Sequence, residues 1–231
     1  MQSSPASLAF GRGAMAVLPL SFACAPWGLL VSSLAIGAGF TPVEGQGLSA
    51  IVFAGAAQLV AIGMVKGGAS LLSIFVTTLL LTSQHLLYAM HMRPCIAPLP
   101  SRWRVGLGFL LTDEFFALNS HQNARGFDRW YALGVGLTFY VAWNLFTLAG
   151  IVLGRNIPNL ESLGLEFSIA ATFVALVTPL VKSLPVLICV AVSLGCSVWL
   201  SWLGLQSALV VSGLAGMVAG FSAKCLMERR A

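Results

Sequence analysis

The stretch GLGFLLTDEFFALNS, residues 106–120, sets two adjacent acids, Asp113 and Glu114, among Leu107, Phe109, Leu110, Phe115, Phe116 and Leu118. The chain has only seven acids in all, so a pair of them inside an apolar run constrains the fold. Whether this run crosses a bilayer sets the number of crossings, and that depends first on the solvent around it. Of 231 residues, 58% are hydrophobic and 8% charged, with a mean hydropathy of +0.92. A soluble domain carries about 25% charged residues to stay in water; this chain cannot be coated that way. It reads as an all-α integral membrane protein, in which about 20 apolar residues make one crossing. The long continuous blocks lack the alternation of a barrel strand, which leaves helices as the spanning form.

Outward from the acidic run, apolar blocks fall at about 17–39, 46–65, 68–91, 105–120, 131–153, 164–181, 184–203 and 205–222. FTPVEGQ, KGG, RPCIAPLPSRWR, HQNARGFDR, GRNIPNLES and KSLP punctuate them. Seven blocks are clear crossings, and the acidic one makes seven or eight. The expected organisation is a single polytopic membrane domain over residues 1–231. A first repeat spans about 17–91, a linker with the acidic segment 92–130, a second repeat about 131–203, and a last helix 205–222. A shift of 143 − 27 = 116 lays Trp27 on Trp143, Pro42 on Pro158, Ala54 on Ala170, Lys66 on Lys182 and Leu71 on Leu187 without a gap. Such three-helix repeats build many transporters, with the site at the repeat interface. The N-terminal stretch to Ala25 has a leader's charge and apolar core, but the hydrophobicity continues through PWGLLVSSLAIGAG, so a retained first helix is expected. No further soluble domain is expected on either side.

The twelve basic residues are scattered or sit at block ends, giving net charge +5 without a concentrated basic footprint; nucleic acid is not an expected partner. Their distribution reads as membrane orientation. If the acidic run spans, Arg12, Lys66, Arg125, Arg129, Lys182, Lys224, Arg229 and Arg230 share a side, 8 against 4. If it is re-entrant, Arg93, Arg102 and Arg104 replace Arg12 and Lys66, 9 against 3. Both cases make the C-terminus cytoplasmic; the re-entrant version is the one adopted, and parallel and inverted repeats both stay open. The five cysteines form no C-x-x-C pair and read as inert buried thiols.

Chemistry is expected first at Asp113 and Glu114. A carboxylate at the centre of a lipid-facing helix costs about 2.5–3.5 kcal/mol, so the pair is expected at a water-filled vestibule, protonated or partnered, and is the candidate for proton coupling. The bland reading is a helix end with Thr112 as N-cap and the acids in its first turn. FAGAAQL, residues 53–59, places Gly55 and Gln58 in a small-residue helix, open to close packing or to a ligand. TSQHLLYAMHMR offers His85 and Tyr88, with Gln84 and Tyr88 on one face. Asn144 adds a lone amide to the fifth block, and GMVAG, 216–220, a face for helix packing or a partner subunit. Metal spacing is poor, since His85 and His91 do not share a face. No cofactor is expected, and neither a P-loop nor a nucleophile elbow occurs.

At FTPVEGQGLSAIVFAGAAQL, HLLYAM and LTDEFFA, in that order over about residues 15–120, the chain resembles the AzlC/YgaZ family, the large subunit of bacterial branched-chain amino-acid exporters. The resemblance implies a proton-linked or potential-linked efflux carrier of the inner membrane for branched-chain or other apolar amino acids, acting with a small AzlD-type membrane subunit and not as an enzyme. Substrate contacts would then fall on Gly55, Gln58, His85, Tyr88 and Asn144. Ahead of HLLYAM the family carries an Asn or Asp and an Arg, where this chain has Thr82 and Gln84, so the usual carboxylate clamp is absent there. Two rivals stand beside the carrier: a membrane-embedded enzyme built on His85 and Asp113, and an accessory subunit without transport of its own.

Overall fold

The computed structural model describes residues 6–122, 126–156, 174, 178, 181–205 and 208–228. Among them there is no strand. The chain divides into two compact units, residues 1–169 and 170–231. The block expected at 164–181, and with it much of the second repeat, lies outside the described residues.

The spine of the first unit is the last of its helices. α1 (Ala6–Ala23) and α2 (Ala25–Gly37) meet at Cys24, with Pro26 in the opening turn of α2, where a missing N–H costs nothing. α3 (Pro42–Ile51) starts on a capping box between Thr41 and Glu44. α4 (Gly55–Lys66), α5 (Leu71–Thr82), α6 (Gln84–Ile96), α7 (Ser101–Phe109), α8 (Asp113–Asn119) and α9 (Arg129–Asn156) follow. With 28 residues, α9 is about 42 Å long, enough to cross a bilayer.

Glycines decide how α1 and α2 lie against α9. A Cβ on Gly13 would collide with the Tyr131 carbonyl, and one on Gly134 with that of Phe10. Further along, a Cβ on Gly28 would lie 2.9 Å from that of Phe146, and one on Gly154 3.0 Å from Ser33 Cα. Backbones meet where side chains are absent, the packing mode of helices in lipid. Residues 10–14 face 131–135 and residue 33 faces 154, so α1 and α2 together run beside α9 in the same direction.

The block expected to cross at 46–65 folds instead as a hairpin of half-helices. α3 runs against α9: Gln46 Nε2 donates to Asn144 Oδ1 (2.9 Å), Tyr140 donates to the Ala50 carbonyl (2.9 Å), and the Phe53 ring lies 5.9 Å from Phe139. The chain then reverses, and Gln58 in α4 lies back beside Ser49 (2.9 Å). Phe53 makes the reversal at φ +46°, a strained left-handed conformation for a residue with a Cβ. Its ring, 5% exposed and packed on Phe109, Phe139 and Tyr140, holds it there.

The acidic block makes a second hairpin from the other end. Trp103 of α7 packs on Trp130 (4.9 Å) and Phe109 on Tyr140 (5.4 Å), so α7 follows α9 upward. After the break at Leu110–Thr112, α8 leads back until Gln122 Oε1 accepts from Asp128 N (3.1 Å). The segment thus enters and leaves at the start of α9. The two breaks meet near the middle of α9, where Phe53 and Phe109 stack at 6.1 Å.

α5 and α6 are nearly continuous, giving an apolar run over Leu71–Ile96 whose most hydrophobic stretch holds no buried residue, as lipid-facing surface does, while Met92 and Cys95 near its end are buried. With α1, α9 and α10 it makes four helices, among the described residues, long and apolar enough to cross a membrane. In the second unit, α10 (Leu184–Trp202) and α11 (Ala208–Glu228) form an antiparallel pair. A Cβ on Gly216 would lie 2.7 Å from the Cys189 carbonyl, and one on Gly220 3.0 Å from that of Pro185. The GMVAG face is spent on this packing.

Candidate functional site

α8 opens on Thr112, whose hydroxyl accepts from Phe115 N (3.3 Å) and so caps the first turn. The two acids that follow diverge, as neighbours on a helix must. Asp113 is half-buried and faces α6: Tyr88 Oη donates to its Oδ1 at 2.7 Å and Gln84 Nε2 at 3.3 Å. Tyr88 is fixed by stacking on Phe116 at 4.4 Å. Glu114 turns inward and is 8% exposed, with the Cys24 thiol donating to Oε1 at 3.4 Å. Among the described residues, neither acid has a Lys or Arg within ion-pair distance.

His85, expected as a possible substrate or proton group, turns back to its own helix. Its Nδ1 lies 3.0 Å from the Thr82 carbonyl, and its ring meets the edge of Tyr88 at 5.8 Å. Asp113 thus takes its hydrogen bond from Tyr88, while His85 lies at the Thr82 carbonyl.

Gly55, Gln58 and Asn144 gather around the other break. A Cβ on Gly55 would lie 2.8 Å from Trp143 Cη2 and 3.0 Å from Trp27 Nε1, so the start of α4 threads between the two tryptophans that the shift of 116 aligns. Gln58 is 1% exposed; its Nε2 donates to Ser49 Oγ (2.9 Å), which also accepts from Thr147 Oγ1 (2.9 Å). Gln58 Oε1 and Trp143 Nε1 are buried without a hydrogen-bond partner. Asn144 is engaged by Gln46 and donates to the Tyr140 carbonyl (2.9 Å). Sequence reasoning missed Cys24, Ser49 and Thr147. Small hydroxyls and thiols are ordinary in apolar helices, and no signal in the sequence marks these three.

Two half-helix hairpins, each inserted from one end of a bundle of long apolar helices and meeting at its middle, define a multi-pass α-helical membrane protein with broken helices at its centre. The chain belongs to the AzlC family, whose profile, described as AzlC protein, matches residues 19–157. It is 29% identical to inner membrane protein YgaZ of Escherichia coli (strain K12), over 75% of this chain and 74% of that one. It is 33% identical to an uncharacterized membrane protein of Archaeoglobus fulgidus, over 79% of this chain and 80% of the relative. A membrane protein of Helicobacter pylori (strain 26695) is 30% identical over 56% of this chain and 57% of its own. No solved structure matches at a significant level.

Proposed function

We propose that the chain is a secondary carrier that exports branched-chain or other apolar amino acids across an inner membrane, coupled to protons through Asp113 and Glu114. The observation that carries this reading is Glu114: a buried carboxyl with no cation beside it, contacting Cys24 where α1 meets α2. A carboxyl so enclosed changes its preferred packing when it gains or loses a proton, because the charged form demands partners that the neutral form does not. Asp113, half-open and bonded to Tyr88, gives the proton a route to Glu114. Protonation then biases the two hairpins between alternative packings, the basis of alternating access around a central site. Gly55, Gln58 and Asn144 at the facing break, with Tyr88 and His85 beside the acids, are the substrate contacts in this reading. The open apolar surface of α5 and α6 is shared between lipid and a small AzlD-type subunit.

Positive-inside reasoning favours the start of α9 as the cytoplasmic end of the first unit. Arg12, Arg93, Arg102, Arg104 and Arg129 lie at that end, against Lys66 and Arg155 at the other. Singly replacing Asp113 by Asn and Glu114 by Gln tests the mechanism in cells loaded with labelled leucine, with membrane content of each variant checked by immunoblot. Loss of efflux at normal abundance is expected; normal efflux by both variants would sink proton coupling at these residues.

A further inference from the structure

We infer that the two facing breaks form a dipolar seat for a zwitterion, with a carboxylate at the start of α4 and an ammonium at Glu114; this deepens the carrier reading and rests on it. The anionic pole follows from the backbone. α4 is a 12-residue helix whose N-cap, Ala54, has no side chain to offer, so the N–H groups of its first turn open without a cap and carry the positive end of the helix dipole. Only glycine fits at Gly55, where any Cβ would meet the two indoles, so the tryptophans close on the first turn of α4 itself.

A second observation points the same way. Trp143 is 5% exposed and Gln58 1%, yet Trp143 Nε1 and Gln58 Oε1 have no hydrogen-bond partner. Folded proteins pair such atoms almost without exception. An indole N–H can only donate and an amide oxygen can only accept. Trp143 packs on Gly55 at the half-helix start and Gln58 follows three residues along α4, so the vacant donor suits a carboxylate oxygen at that start and the vacant acceptor an ammonium proton of the same ligand, on its way to Glu114.

The cationic pole is the buried acid. Cys24 touches Glu114, and Trp27, three residues on, touches Gly55. Both poles are therefore reached from side chains three residues apart at the start of α2. An α-amino acid carries both charged ends on one carbon, which suits two poles served by one helical turn; its side chain would then rest toward Phe53, Phe109 and Phe139.

The test is calorimetric titration of the full-length protein in detergent with leucine, 4-methylpentanoate, which lacks the ammonium, and 3-methylbutylamine, which lacks the carboxylate. Leucine is expected to bind at least about tenfold tighter than either, one charge-assisted hydrogen bond being worth about that factor. Glu114→Gln should bring leucine down to the level of 4-methylpentanoate and leave the latter unchanged. Trp143→Phe, which keeps an aromatic side chain but removes the N–H with the five-membered ring, should weaken leucine and 4-methylpentanoate about tenfold but spare 3-methylbutylamine. Equal affinities for the three compounds, binding of none of them, or equal losses in every ligand for each variant would overturn the seat. Efflux of leucine without this selectivity leaves the carrier standing and removes the seat, whereas the selectivity without efflux does the reverse.

Discussion

Glu114 and Glu44 are two acids with opposite environments. Glu114 is 8% exposed, and among the described residues it has a thiol and no Lys or Arg beside it, so its enclosure gives a charge little to pair with. Glu44 is fully exposed and accepts from Thr41 N and Oγ1, both at 2.7 Å, which lowers its pKa from 4.5. Its contribution is present above 4.5 and is lost as pH falls through the lowered value. Fluorescence-detected melting in detergent at about pH 7 should therefore show Glu114→Gln melting at or above the native protein, whereas Glu44→Ala, which opens the capping box, should melt lower, by a margin that narrows as pH falls below 4.5. A Glu114→Gln variant that melts well below the native protein would contradict the enclosed, cation-free state of this carboxyl. The pair of acids was legible in the sequence because charge inside an apolar run is conspicuous. Which acid turns inward was not, since that depends on Tyr88 and Gln84 claiming Asp113 from another helix.

At the scale of elements, hydropathy marks where helices are and says little about where they stop. The runs through IVFAGAAQL and GFLLTDEFF stay apolar across both breaks, so a sliding average sees one segment where two half-helices lie. The first reversal is fixed by Phe53 anchoring among Phe109, Phe139 and Tyr140, contacts made between distant parts of the chain. The glycine faces were more readable: GMVAG announces close packing, and Gly216 and Gly220 meet α10 in that way. The same logic yields a graded expectation for α1 and α9. Gly13→Ala and Gly134→Ala drive a Cβ onto backbone carbonyls across the crossing, whereas Gly37→Ala and Gly108→Ala meet nothing within 4 Å. Overpacking of this kind costs about 1–3 kcal/mol. Unfolding in rising dodecyl sulfate should separate the two pairs of variants, the first unfolding at markedly lower detergent fractions and the second like the native chain. Equal behaviour of all four would mean that α1 and α9 do not meet along their glycines.

For the first unit as a whole, the two hairpins alter the count of crossings that blocks of hydrophobicity suggest. α1 with α2 crosses once, α5 with α6 crosses back, and α9 crosses again; α3 with α4 and α7 with α8 each return to the end they left. That topology sends Gly67, after α4, to the side opposite Ala97, after α6, with the N-terminus beside Ala97. Had α3 and α4 formed one crossing of about 20 residues, Gly67 would share the side of the N-terminus. By the positive-inside rule, arginines at the start of α9 would put Ala97 and the N-terminus on the cytoplasmic side. The two arrangements part in a full-length chain whose five native cysteines are replaced by serine and which carries either Gly37→Cys, before α3, or Gly67→Cys, after α4. A membrane-impermeant maleimide added to intact host bacteria should label both variants at once, because the hairpin returns to the end it left. Protection of both until the membrane is permeabilised would reverse the orientation and keep the hairpin. Labelling of only one of the two in intact cells would mean that α3 and α4 cross, and the meeting of two half-helix starts at the middle of the bilayer would be lost with it.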